Sequence, residues 1–175
     1  MRLALISFHG CPVARLGEKD TGGMNVYVLN LANELGNLGH QVDVFTRYHD
    51  AKDPQIVELG SNVRVIHLNG GPLSETKEDL SLHTSSFAAD LHEFISRESI
   101  NYDLVHSHYW LSGKIASEIS RICRIPHVST FHTLAKTKLR ARAGEKETSY
   151  RVNIETEIMR SSNTVLVLTD KERED

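Results

Sequence analysis

Six short apolar runs, separated by segments of helical periodicity, constrain this chain more than any other feature. The runs are Leu3–Phe8, Gln41–Arg47, Val63–Leu68, Asp103–His108, His127–His132 and Thr164–Thr169. They are nearly continuous in Val, Ile, Leu and Phe, as expected of strands covered on both faces. Between the first two, Val28, Leu31, Ala32, Leu35 and Leu38 recur at helical spacing, and Gly39 supplies a stop. Further helices are predicted over Lys77–Arg97, Leu111–Arg124 (ended by the Pro126 signal) and Glu145–Ser161. Tyr48–Asn62 reads as a loop or short strand region. Alternation of this kind predicts an α/β fold: a doubly wound, Rossmann-like parallel sheet with right-handed crossovers.

Composition narrows the function classes. At 175 residues the chain is one domain, or one domain of a longer protein. A formal net charge of −3 gives no case for a nucleic-acid or membrane-surface partner. No apolar run reaches about 18 residues, so no transmembrane segment is expected. The opening Met1-Arg2-Leu3-Ala4-Leu5-Ile6 reads as a first strand rather than a signal peptide. Cys11 and Cys123 match no metal or redox spacing and suggest reduced thiols in a cytoplasmic protein. The chain stops at Asp175, soon after a strong strand, where a doubly wound domain normally adds a helix. The end therefore reads as a truncation.

In such folds ligands sit beyond the carboxyl ends of the strands. That rule gathers His9, Gly22, Gly23, Asn25, Asn69, Lys77, His108, Tyr109, Trp110, His132 and Thr133 into one candidate site. Gly22-Gly23 opens a helix, where backbone N–H groups and the helix dipole suit an anion or a polarised oxygen. It is not a dinucleotide fingerprint, which needs G-x-G-x-x-G close behind the strand, and it is not a Walker A loop. A plain tight turn explains the glycine spacing equally well. His106 and His108 share a strand face, but no third metal ligand stands out, and hydrogen-bonded rim or core histidines are the simpler reading. Tyr109 and Trp110 suit either an aromatic wall for a sugar or packing beneath the next helix. A neutral His132 could hydrogen-bond a hydroxyl or polarise a leaving group. Lys136, Lys138, Arg140, Arg142, Lys146 and Arg151 read mostly as a solvated helix face, with one or two able to reach a phosphate.

Four segments in order carry a family resemblance. They are Gly22-Gly23-Met24-Asn25-Val26-Tyr27-Val28, His106-Ser107-His108-Tyr109-Trp110-Leu111-Ser112-Gly113, Phe131-His132-Thr133-Leu134-Ala135, and Ser161 to Thr169 with Lys171-Glu172. Together they resemble the N-terminal domain of the retaining glycosyltransferases of family 4, across essentially the whole chain. Those enzymes have the GT-B fold of two facing Rossmann-like domains. Within the family the sequence is most similar to enzymes that glycosylate inositol phosphate, and next to those that transfer to fructose 6-phosphate.

The resemblance implies roles residue by residue. His9 and the loop from Asp20 through Gly22 and Gly23 to Asn25 match positions that touch the acceptor, and Gly23 also approaches the donor diphosphate. Lys77, Tyr109, Thr133 and Arg151 match the set that grips the acceptor phosphate. His132 matches the histidine lying against the transferred sugar, where it would position and stabilise rather than attack. Arg15-Leu16-Gly17, and Lys136-Thr137-Lys138 after Ala135, depart from the inositol-phosphate pattern near the acceptor. The resemblance also implies a nucleotide-sugar co-substrate (a UDP-sugar), no further cofactor, and no metal held through an Asp-x-Asp motif. It implies a second, C-terminal domain that carries the nucleotide pocket and is absent from residues 1–175, leaves room for a homodimer at full length, and makes this half inactive by itself. A non-catalytic sugar-phosphate binding module is the competing reading; a nicotinamide oxidoreductase fits poorly because the glycine spacing is wrong.

Overall fold

The computed structural model describes residues 1–15, 21–76, 79–141 and 149–174. The sheet strands are β1 (Arg2–Ile6), β2 (Gln41–Arg47), β3 (Ile56–Glu58), β4 (Val63–Leu68), β5 (Leu104–His108), β6 (His127–Thr130) and β7 (Thr164–Leu166). The helices are α1 (Gly23–Asn37), α2 (Thr84–Arg97), α3 (Tyr109–Cys123), α4 (Ala135–Ala141), α5 (Ser149–Ser161) and α6 (Asp170–Glu174). The strand order is β3-β4-β2-β1-β5-β6-β7, parallel throughout except for β3, which runs antiparallel along the β4 edge.

The period of two along each strand sorts side chains to opposite faces. Leu3, Leu5, Val42, Val44, Val63 and Val65 meet Val28 and Ala32 of α1 on one face. Ala4, Ile6, Phe45, Ile66 and Val105 meet Phe87, Leu91, Leu111, Ile115 and Ile158 from α2, α3 and α5 on the other. Each large aliphatic or aromatic side chain fully buried there stabilises the fold by about 1.5–3 kcal/mol. Helices on both faces make the sheet doubly wound, as the alternation predicts. A buried charge also sits within it. Arg64 donates two hydrogen bonds to the Asp43 carboxylate, both at 2.7 Å, and the Tyr102 hydroxyl donates a third at 2.5 Å. That pairing holds Arg64 protonated, above its ordinary range, and burial next to Asp43 keeps the phenol of Tyr102 neutral.

Chain order reverses between β1 and β5: β2 and β4 lie on one side of β1, and β5, β6 and β7 on the other. Loops leaving β1 and β5 must therefore diverge, and a crevice opens between them at the carboxyl ends.

Several boundaries differ from the sequence reading. The strand expected over His127–His132 ends at Thr130, because His132 turns into the left-handed region with φ 61°. The first and last strands stop short at Ile6 and Leu166. The helix predicted over Lys77–Arg97 begins as a 3-10 turn over Asp79–His83, and the α-helix proper starts at Thr84. Helix α3 starts two residues earlier than predicted, at Tyr109. The basic stretch after Thr133 forms α4, which the sequence reading had not separated, and a short α6 follows β7. Helix α1 ends as foreseen: the N–H of Gly39 (φ 85°) donates to Gly36 O at 2.9 Å and that of His40 to Leu35 O at 3.1 Å, closing the chain reversal that needs a left-handed residue. Among the described residues no helix is long and apolar enough to cross a membrane.

Candidate functional site

The crevice between β1 and β5 contains a cavity of about 500 Å³. His9, Gly22, Gly23, Asn25, Tyr109, His132 and Thr133 all line it, together with Thr21, Met24, Tyr27 and Leu168. Seven of the ten residues predicted for binding or catalysis thus converge. Of the other three, Asp20 and Lys77 lie outside the described residues, and Arg151 stands behind the wall.

The floor is the loop after β1. Ser7 Oγ donates to Gly10 O at 2.7 Å, and Phe8 N donates to Ser112 Oγ of α3 at 3.0 Å. Asn25 Nδ2 donates to Cys11 O at 2.8 Å, so its buried amide ties this loop to the first turn of α1. The approach is close: a Cβ on Gly10 would meet Met24 Cε at 2.6 Å.

Helix α1 begins at this loop without a side-chain cap and without an acidic residue in its first turn. The first N–H groups of a helix have no intrahelical partner. A Cβ built on Gly22 or Gly23 would meet nothing within 4 Å, and neither residue has a positive φ. Neither packing within the chain nor backbone conformation therefore explains glycine here. Helix α3 likewise begins at the cavity with no side-chain cap.

Two walls carry left-handed backbone at non-glycine residues: Tyr109 (φ 77°) and His132 (φ 61°). Such conformations cost on the order of 1–3 kcal/mol and persist only where the surroundings over-determine them. The Tyr109 ring is held between the His9 ring (centroids 4.7 Å apart) and the Arg151 guanidinium, 4.9 Å from the ring centre. His132 Nε2 lies 3.1 Å from His108 Nδ1, and the Tyr27 ring meets the His132 ring edge-on at 5.1 Å.

Helix α5 clasps the loop that carries His132. Arg151 Nη2 donates to Thr133 O at 2.8 Å, and Arg151 Nε donates to Glu155 Oε1 at 2.7 Å. Glu155 Oε2 in turn accepts the Ala135 N–H at 2.9 Å. Both charged side chains are buried. The structure thus brings Arg151 to the site as a brace for Tyr109 and Thr133, with its guanidinium engaged by protein groups.

Burial sets the electrostatics. His132 and His106 are depressed to about 4, chiefly by desolvation, and fully buried His108 lies well below its ordinary value. The row is therefore neutral near pH 7. In the His108–His132 contact one ring donates and the other accepts, which leaves His132 Nδ1 as that ring's remaining polar atom. A neutral imidazole here can orient a hydroxyl but adds no positive charge.

The remaining candidates fall elsewhere. Trp110 packs in the core against Tyr150, ring centroids 6.2 Å apart, so the packing alternative holds and not the sugar wall. His106 bonds Thr130 Oγ1 through Nε2 at 2.9 Å, a buried strand contact. Asn69 is exposed and outside the cavity lining. Sequence reasoning overlooked Tyr27 and Glu155. Tyr27 stands one helical turn beyond Gly23, a spacing that aims it at the same crevice; Glu155 had no local signal.

A second cavity, about 780 Å³, adjoins the first through His9 and Thr21. Arg15, Arg47, His49, Lys52 and His67 are among its lining residues. It is larger and more basic, but neither strained residue faces it.

Residues 22–175 match the family described as Glycosyl transferase 4-like domain. The chain is 40% identical to D-inositol 3-phosphate glycosyltransferase of Corynebacterium efficiens, over 100% of this chain and 42% of that protein. It is also 40% identical to the protein of that name from Kineococcus radiotolerans, over 98% of this chain and 40% of the relative. Among solved structures, sucrose-phosphate synthase from Thermosynechococcus elongatus superposes with a TM-score of 0.91 at 30% identity, covering 99% of this chain and 43% of that one. The chain thus spans about two fifths of the length of the curated relatives it matches.

Proposed function

The chain belongs to the glycosyl transferase 4-like family, and from that premise we propose that it is the N-terminal, acceptor-binding half of a retaining glycosyltransferase. The reaction moves a sugar from a nucleotide-sugar donor, a UDP-sugar, to a phosphorylated acceptor of the inositol phosphate class. One observation carries this reading: Tyr109 and His132, both left-handed, flank a single cavity beside the unobstructed start of α1. The names of the relatives support the acceptor class.

In this reading the acceptor phosphate rests near Tyr109 and Thr133, with Lys77 as its charged partner. Arg151, paired with Glu155, holds that wall in place. The donor diphosphate approaches Gly23 and the start of α1, where unpaired N–H groups meet negative charge. His132 lies against the transferred sugar and orients it. Being neutral, it does not compete with the donor phosphate, which in retaining enzymes of this family is thought to assist the acceptor hydroxyl. The second domain supplies the nucleotide pocket, so the 175-residue half binds acceptor but does not turn over. The likeness to sucrose-phosphate synthase keeps fructose 6-phosphate as the second acceptor to test.

The test is a titration of this chain with inositol 3-phosphate, fructose 6-phosphate and unphosphorylated inositol, read from amide NMR shifts, and repeated on the two-domain protein. Saturable shifts at Gly23, Tyr109 and Thr133 with one phosphorylated ligand only would support the reading and name the acceptor. No response of the two-domain protein to either phosphate ester would overturn it.

A further inference from the structure

Three side chains distant in sequence meet in the second cavity. Cys11 lies in the loop after β1, His49 just past the end of β2, and His67 near the end of β4. One potential ligand atom from each lies within 4.8 Å of the others. Cys11 Sγ and His67 Nε2 are 3.3 Å apart, and both residues are buried. Tetrahedral zinc, with Zn–S of about 2.3 Å and Zn–N of about 2.0–2.1 Å, separates such ligands by about 3.6 Å.

The groups behind these ligands orient them. His67 Nδ1 lies 2.8 Å from the carbonyl of Pro54. A carbonyl can only accept, so Nδ1 carries the proton, and in the neutral ring the lone pair is on Nε2, toward Cys11. His49 Nδ1 lies 2.7 Å from Asp53 Oδ2. That carboxylate oxygen accepts the backbone N–H of His49 at 3.0 Å and of Asp50 at 2.9 Å, so Asp53 is fixed beside the His49 ring. A carbonyl behind one imidazole and a carboxylate behind the other are the outer-shell partners that metal-bound histidines use.

We propose that Cys11 Sγ, His49 Nε2 and His67 Nε2 bind one zinc ion. On binding, the Cys11 thiol gives its proton to solvent and the thiolate forms the zinc–sulfur bond. Each imidazole donates its Nε2 lone pair. The fourth position faces the cavity of about 780 Å³. The thiolate and imidazole donor set selects zinc over magnesium or calcium, which take oxygen ligands. The ion cross-links the loop after β1 to the ends of β2 and β4. Because the Cys11 carbonyl accepts from Asn25, that loop is also the floor of the neighbouring crevice. The site stands apart from the sugar-transfer reading and does not depend on it.

Cobalt is the probe, since a cobalt–thiolate bond gives a charge-transfer absorption that oxygen and nitrogen ligation does not. The reduced, chelator-treated chain is expected to bind one equivalent of Co²⁺ with that band, and zinc is expected to displace it. Cys11→Ser should abolish the band and Cys123→Ser should leave it intact. His49→Ala, at a half-buried position, should weaken binding more than tenfold, and Asp53→Asn by about tenfold, with the far-UV spectrum and unfolding midpoint of each variant confirming the fold. No thiolate band in the unaltered chain, a band that survives Cys11→Ser, or undiminished affinity in His49→Ala would each overturn the site.

Discussion

His132 Nε2 and His108 Nδ1 lie 3.1 Å apart, and this contact fastens a residue held at φ 61° to a fully buried neighbour. The strand β6 gives up its last two expected residues to make the turn. Strain kept by a buried contact at the lip of a cavity motivates a test of function at His132.

Replacing His132 by glycine separates function from folding. Glycine adopts positive φ without steric cost. His132→Gly should therefore hold stability level or raise it by about 1 kcal/mol, while sugar transfer by the two-domain protein falls at least a hundredfold. Urea unfolding and initial rates check this. A variant that keeps its rate would remove His132 from the site.

Gly23→Ala offers the reverse comparison. The added Cβ meets nothing within 4 Å, so stability should stay within about 0.5 kcal/mol. A ligand that approaches the α1 backbone should bind at least tenfold more weakly. Calorimetric titration with the phosphorylated acceptor, or with the nucleotide sugar on the two-domain protein, measures the loss. Equal affinity would mean that the glycines serve the turn alone.

Glu155→Ala leaves Arg151 buried without its carboxylate and Ala135 N–H without its acceptor. Removing one partner of a buried pair costs about 3–5 kcal/mol. We expect a fall of that order in unfolding free energy, together with faster amide exchange around Thr133 and Ala135. Unchanged exchange there would show that α5 does not hold the His132 loop.

Acid should destabilise the fold through its buried histidines. His106 and His127 are buried, and both drop from 6.5 to about 4, through desolvation first. The unfolded chain thus takes up protons that the native state refuses, and stability rises with pH across this window. Their contribution is whole above pH 6.5 and is lost as pH falls from 6.5 toward 4, by up to about 1.4 kcal/mol per pH unit for each group. His127 Nε2 contacts Ser107 Oγ at 2.8 Å. His127→Asn keeps a polar partner and removes the titration, so its unfolding midpoint should depend less steeply on pH. An equal slope would mean that His127 titrates normally in the fold.

Much of the architecture was legible because it is written in local periodicity. Gln41–Arg47 and Val63–Leu68 emerge with the bounds read from their apolar runs. Helix α1 stops at the Gly39 signal because a left-handed residue there satisfies two backbone carbonyls. Seven site residues could be grouped from one rule, since the ends of parallel strands all lie at one edge of the sheet. Local signals failed where a distant contact overrode them. The chain turns at His132, whose ring contacts that of His108, and Arg151 and Glu155 of α5 bond the backbone at Thr133 and Ala135. Arg151, named for the ligand, braces Tyr109 and Thr133 through contacts that no local pattern announces.

The sequence by itself determined the alternation of strands and helices, the two faces of each strand, and which loops sit at the ligand edge, because 2.0- and 3.6-residue periods are properties of neighbouring residues. Only the tertiary structure decided which of those loop residues touch. Strand order places β4 and β2 beside β1 on one side and β5 and β6 on the other. That order brings Cys11 to His67, and His9 to Tyr109, across gaps of 56 and 100 residues. No local pattern encodes such meetings, because they follow from how the whole chain buries its two apolar faces.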